Sequence, residues 1–169
     1  MAAGRNGVTW SVCPLNARGC KVDTANYPSK LAALVEDFST ITDRTERTEM
    51  LIEWADQFEA VPERVAVRPF PEDHRVPACE SEAFVWVEGQ PDGGLKYYFA
   101  VENPQGLSAM AMAAILDQTL SGQPPEKVAA ISSEIVYTIF GGEISMGKGQ
   151  GLTSMVSMVK NFAQQRVHP

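Results

Sequence analysis

Three cysteines, two histidines and one glycine-rich run hold most of the reactive potential of this chain. Cys79 stands at the end of a long proline-rich stretch and just before a run of β-branched and aromatic residues. A thiol placed in this way is held by regular structure yet open to a partner. Its thiolate is suited to attack the outer sulfur of a persulfide and then to hand that sulfur on. A free cysteine is equally at home in a core as a small hydrophobe. The residues alone leave both readings open.

The other candidates are weaker. Cys13 and Cys20 are spaced too widely for a zinc pair, and His74 and His168 lie far apart, so no metal site is expected. The two histidines read as solvated loop and tail residues, and Cys13 and Cys20 as tail thiols. Gly142-Glu143-Ile144-Ser145-Met146-Gly147-Lys148 matches G-x-x-x-x-G-K, the loop that cradles nucleotide phosphates with backbone amides and a lysine. An apolar run over 135–140, ambiguous between strand and short helix, precedes it. Gly149, however, occupies the place of the magnesium-binding Ser or Thr. A P-loop-like nucleotide-binding module is thus one alternative. The plainer one is a flexible glycine-rich turn before the last helix. No bound cofactor is expected.

These groups need elements to position them. Leu31, Leu34, Val35 and Phe38 recur at helical spacing. Asp43, with Glu46 three residues on, opens a second helix whose apolar stripe is Met50, Leu51, Trp54, Ala55 and Phe58. Residues 59–78 then form a charged, proline-rich irregular stretch, of a length that in compact domains is usually functional. Residues 83–87 and 95–101 are strand-like and flank Pro91-Asp92-Gly93-Gly94, which predicts a hairpin. A helix apolar on nearly every side follows over 107–120, and an amphipathic one from Leu152 closes the chain. Helices, a hairpin, then more helices is an α+β order: a small antiparallel sheet near 81–101 covered by helices. Residues 1–27 show neither period and read as a flexible extension, with the domain expected over 28–169.

Charge narrows the partners. The net charge is −7, and the first 27 residues are basic, with Arg5, Arg18 and Lys21 against Asp23. The rest is therefore strongly acidic and repels phosphate backbones, so no nucleic acid is expected; a partner protein with a basic face fits better. No apolar run is long enough for a membrane span, so no membrane association is expected. An odd number of cysteines predicts a reducing compartment, cytoplasmic or plastid stroma.

Val76-Pro77-Ala78-Cys79-Glu80-Ser81-Glu82-Ala83 resembles the signature of the SufE family, V-x-G-C-x-S-Q-V at the first strand. Leu120-Ser121-Gly122-Gln123-Pro124-Pro125-Glu126 is similar to the family's SG-x-TP-E connection, and Ser145 to Leu152 to its S-P-S-R-x-N-G-L run. The likeness covers about residues 28–166. It implies an α+β sulfur-transfer protein that takes persulfide sulfur from a PLP-dependent cysteine desulfurase resembling SufS. Such a protein stimulates that enzyme and relays sulfur to a SufBCD-type scaffold for iron–sulfur cluster assembly. It would be no stand-alone enzyme, and the pyridoxal cofactor would belong to the partner. The acceptor cysteine of the family falls on Cys79. Departures from the pattern include Ala78 for Gly, Glu82 for Gln, Lys148 for Arg, Gln150 for Asn, and Val101-Glu102-Asn103-Pro104 for the family's G-D-S-D before the central helix. Glu82 and Lys148 are carried over as partner-binding residues. A regulatory binder of a desulfurase that carries no sulfur is the remaining alternative. A carrier should shelter its sulfur. Cys79 is therefore expected to be largely buried under Ala83, Phe84, Val85 and Trp86, with residues 69–78 free to move as a unit.

Overall fold

The structure, a computed structural model, describes residues 22–168. The expected extension over 1–27 lies outside the described residues up to residue 21, as do Cys13 and Cys20. The described elements are α1 (Ser29–Thr40), α2 (Arg44–Asp56), β1 (Ala83–Gly89), β2 (Leu95–Val101), α3 (Leu107–Leu120), α4 (Pro125–Ala129), α5 (Ile135–Phe140) and α6 (Met146–Val167). The fold is α+β. None of the described helices is long and apolar enough to cross a membrane.

β1 and β2 form a two-stranded antiparallel hairpin in which Val85 faces Phe99 and Ala83 faces Val101. Because side chains alternate along a strand, the sheet has two different faces. Ala83, Val85, Leu95, Tyr97 and Phe99 join the main core with Leu31, Leu34, Val35 and Phe38 of α1 and the apolar surface of α3 and α6. α3 lies at its centre, with every residue from Ala111 to Leu116 buried. The Tyr97 hydroxyl is buried there without a hydrogen-bond partner, and burial pushes its ionisation well above the ordinary tyrosine range.

Phe84, Trp86 and Ala100 occupy the other face. Their packing partners among the described residues come from the stretch before β1, through Val61, Val65, Ala66 and Phe70, and from a short 3-10 helix, Glu72–His74. The Val61 amide donates to the Phe99 carbonyl at 2.7 Å, so the stretch begins as a partner of β2. Phe70 packs on Trp86 at 5.0 Å between ring centroids, and His74 stacks on the same indole at 5.3 Å. His74 Nδ1 lies 2.9 Å from the Val85 carbonyl oxygen. His74 is thus half-buried and structural, contrary to the expectation of a solvated loop histidine. Arg64 pairs with Glu88, and Arg68 with Glu102 at 2.7 Å, along the rim. The stretch is fastened at Phe70, His74 and Arg68.

Two further expectations are corrected or resolved. Residues 135–140, ambiguous in sequence, are helical. The final helix starts at Met146, six residues before Leu152, capped by Ser145 Oγ, which accepts from the Lys148 amide. The glycine-rich turn is therefore only partly a turn: Gly141, at φ 87°, ends α5, whereas Gly147, Gly149 and Gly151 lie inside α6. Asp43 caps α2 as expected, its Oδ1 accepting from the Glu46 amide at 2.9 Å.

Candidate functional site

Before the first strand, Arg75 bridges to Phe84, and the Val76 amide donates to the Ala83 carbonyl at 2.8 Å. That bond closes the neck of a loop, residues 77–82, with Cys79 inside it. The Glu82 amide donates back to the Cys79 carbonyl at 3.2 Å. Glu102 and Asn103 amides donate to the Glu82 and Ser81 carbonyls, tying the outgoing limb to the continuation of β2. Two residues in the loop are left-handed without being glycine, Ala78 at φ 55° and Glu82 at φ 50°. An L side chain in that region is held at a cost of about 1–2 kcal/mol per residue. Such outliers gather where surrounding structure over-determines a functional conformation. Ala78 is the position at which the sequence pattern has glycine, and its backbone conformation gives the reason.

The loop rests on the N-terminal ends of two helices. A side-chain carbon at Gly106, next to the start of α3, would stand 2.9 Å from Ser81 Cβ. One at Gly147 would stand 3.0 Å from the Glu80 carboxylate, which lies beside the amide-rich first turn of α6 where negative charge is favoured. One at Gly151 would stand 3.0 Å from Cys79 Cα and 3.1 Å from the Ala78 carbonyl oxygen. Glycine at these places permits backbone to approach helix closely.

Cys79 is half-buried, at the edge of the main core, and is the free cysteine among the described residues. This corrects the expectation of a largely buried thiol. It also corrects the expected cover, because Phe84 and Trp86 face the opposite side of the sheet and only Ala83 and Val85 belong to the core Cys79 touches. Two hollows meet at the cysteine. One, of about 510 Å³, is bounded by Glu72, Arg75 and residues 76–80. The other, of about 290 Å³, lies between the loop and the starts of α3 and α6 and includes Asn103, Gln105, Ser108 and Lys148.

Lys148 is thus exposed on the same side as Cys79. Glu82 is exposed too, but its carboxylate turns to Arg75 at 3.4 Å and lines neither hollow. The phosphate-cradle alternative loses its structural context. A P-loop runs from strand through loop to helix, whereas here helix α5 precedes the motif. Among the described residues, no cluster of His, Cys, Asp and Glu is arranged to hold a metal ion.

One residue escaped sequence reasoning altogether. The Arg47 guanidinium donates to the Thr138 and Ile139 carbonyls of α5 and to the Phe38 and Ile41 carbonyls at the end of α1. It ties three helices and neutralises the negative ends of two of them.

The family model described as "SufE: Fe-S metabolism associated domain" matches residues 32–163. Among solved structures, the chain is similar to the solution structure of a hypothetical protein from Thermus thermophilus. The TM-score is 0.64 and the identity 21%, over 85% of this chain and 99% of that one. At this identity the likeness speaks for the fold. No curated protein matches the chain.

Proposed function

The chain belongs to the SufE family of Fe–S metabolism associated domains, and on that premise we propose that Cys79 accepts sulfur from the persulfide of a PLP-dependent cysteine desulfurase of the SufS kind. The protein stimulates that enzyme and passes the sulfur to an iron–sulfur scaffold of the SufBCD kind, in a reducing compartment. The observation that carries this reading is the placement of Cys79: half-exposed in a closed, strained loop, with hollows on either side. A core cysteine has no use for such a setting.

The transfer balances without an outside oxidant. Cys79, as thiolate, attacks the outer sulfur of the donor's Cys–S–SH group. The new S–S bond forms at Cys79 as the donor's S–S bond breaks. The donor cysteine leaves as a thiolate, and the proton stays on the sulfur carried. A second thiolate, the acceptor's, takes the outer sulfur in the same way. Lys148, exposed at the mouth of the smaller hollow, and Glu82, exposed beside the loop neck, are partner contacts in this reading.

Intact mass after incubation with cysteine and a desulfurase tests it. The full chain should gain about 32 Da per sulfur carried, and peptide mapping should place the gain on Cys79. Cys79→Ser should abolish the gain. Sulfur on Cys13 or Cys20 with Cys79 untouched rejects the assignment. A Cys79→Ser protein that still binds and fully stimulates the desulfurase, where the parent never gains mass, makes the chain a regulatory binder instead.

A further inference from the structure

Of the three glycines against the loop, Gly151 alone faces the backbone of the cysteine. A carbon added at Gly147 would meet the end of the flexible Glu80 side chain, which can swing away. One at Gly106 would meet Ser81 Cβ, a Val101 methyl and the Asn103 carbonyl, away from the thiol. One at Gly151 would press on Cys79 Cα at 3.0 Å, on the Ala78 carbonyl at 3.1 Å and on Cys79 Cβ at 3.4 Å. Gly151 is buried in the second turn of α6, where alanine would be the better helix former. The helix gains nothing from glycine there; the loop does.

We infer that Gly151 is a positioning residue for Cys79, whose missing side chain is the seat on which the cysteine rests. The seat fixes how deep the thiol lies between the two hollows. No large side chain clasps the loop at this point, so the contact is close but can be given up when a partner draws the cysteine out. The functional part of this inference rests on the sulfur-carrying reading; the seat itself rests on geometry.

The experiment uses the full chain with Cys13 and Cys20 replaced by serine, and reads two rates on Cys79: alkylation by iodoacetamide and, after loading by a desulfurase, loss of persulfide to dithiothreitol. Gly151→Ala forces the loop off its seat and should raise both rates about tenfold, the effect of a crowding strain at the low end of the overpacking range. Gly147→Ala should change them less than twofold. Ala78→Gly alone should also leave them within twofold, because it relaxes the backbone without crowding the seat. Added to Gly151→Ala, it should recover most of the parental rates by letting the loop resettle. Unchanged rates in Gly151→Ala overturn the proposal. So does a tenfold rise in Ala78→Gly alone, which decides the matter even if Gly151→Ala does not fold. Normal mass gain on Cys79 with no response to Gly151→Ala removes the seat and leaves sulfur carriage standing. A tenfold alkylation response with no mass gain in any variant does the reverse.

Discussion

The hairpin has an irregular segment on each flank, and the two are held by opposite means. Residues 59–74 lie across the outer face under large side chains: Phe70 and His74 against Trp86, Arg64 and Arg68 paired with Glu88 and Glu102. Residues 77–82 sit on α3 and α6 where side chains are missing, at Gly106, Gly147 and Gly151, and are tied otherwise by main-chain bonds. Fastening by aromatic packing removes apolar area from water and is hard to undo. Fastening by close backbone approach gives a defined position with little buried area to lose on release. The cover is built to stay, and the cysteine loop is built to be placed.

The severest trial of this contrast removes the anchor of the cover. Trp86→Ala should cost about 3–5 kcal/mol of stability, read as a fall in the denaturant midpoint. Tryptic cleavage after Arg64 should become faster in the folded state. The iodoacetamide rate of Cys79, measured where the variant is still folded, should stay within twofold of the parent. If it climbs together with tryptic cleavage, the two segments are one cooperative unit and the contrast fails.

A smaller effect probes the loop. Ala78→Gly removes a left-handed alanine and should stabilise the protein by about 1 kcal/mol. That is a rise of roughly 2–4 °C in Tm for a chain of this size. A lower Tm would mean that the strain at position 78 is not borne by its side chain.

The smallest effect concerns the rim of the cover. The Tyr98 hydroxyl and then the Arg64 guanidinium hold the Glu88 carboxyl below its ordinary range. A depressed carboxyl contributes stability above its unfolded value and loses it as pH falls through the folded one. The parent should therefore lose slightly more stability than Glu88→Gln on acidification below the ordinary carboxylate range. The group is exposed, so the difference should be small and should shrink in high salt. A parental advantage over Glu88→Gln that grows on acidification instead would contradict the assignment.

Periodicity carried the fold. The apolar spacing of Leu31 to Phe38 and the alternation in 95–101 marked α1 and β2, and the cysteine was visible from its place before a strand. Position 78 was legible as a departure from a glycine, though only coordinates supply its φ. The glycine run misled because propensity argues against helix, whereas Gly147 and Gly151 are helical and a side-chain carbon at either would crowd the loop. Their spacing of four residues, one helical face, was the available signal. Residues 135–140 were too short a run for period to separate helix from strand. Phe84 and Trp86 were assigned to the wrong side because a strand adjoining a cysteine says nothing about which of its faces the cysteine shares. Arg47 left no trace at all, since its carbonyl partners on α5 lie some ninety residues away.

The hydrogen bond between Val76 and Ala83 sets a reach. With the neck closed, Cys79 hangs on three residues from one side and four from the other. Even drawn out straight, three residues span only about 10 Å. Cys79 therefore travels no farther than that from the sheet edge, and in the sulfur-carrying reading proposed above the donor and acceptor thiols have to come within that reach.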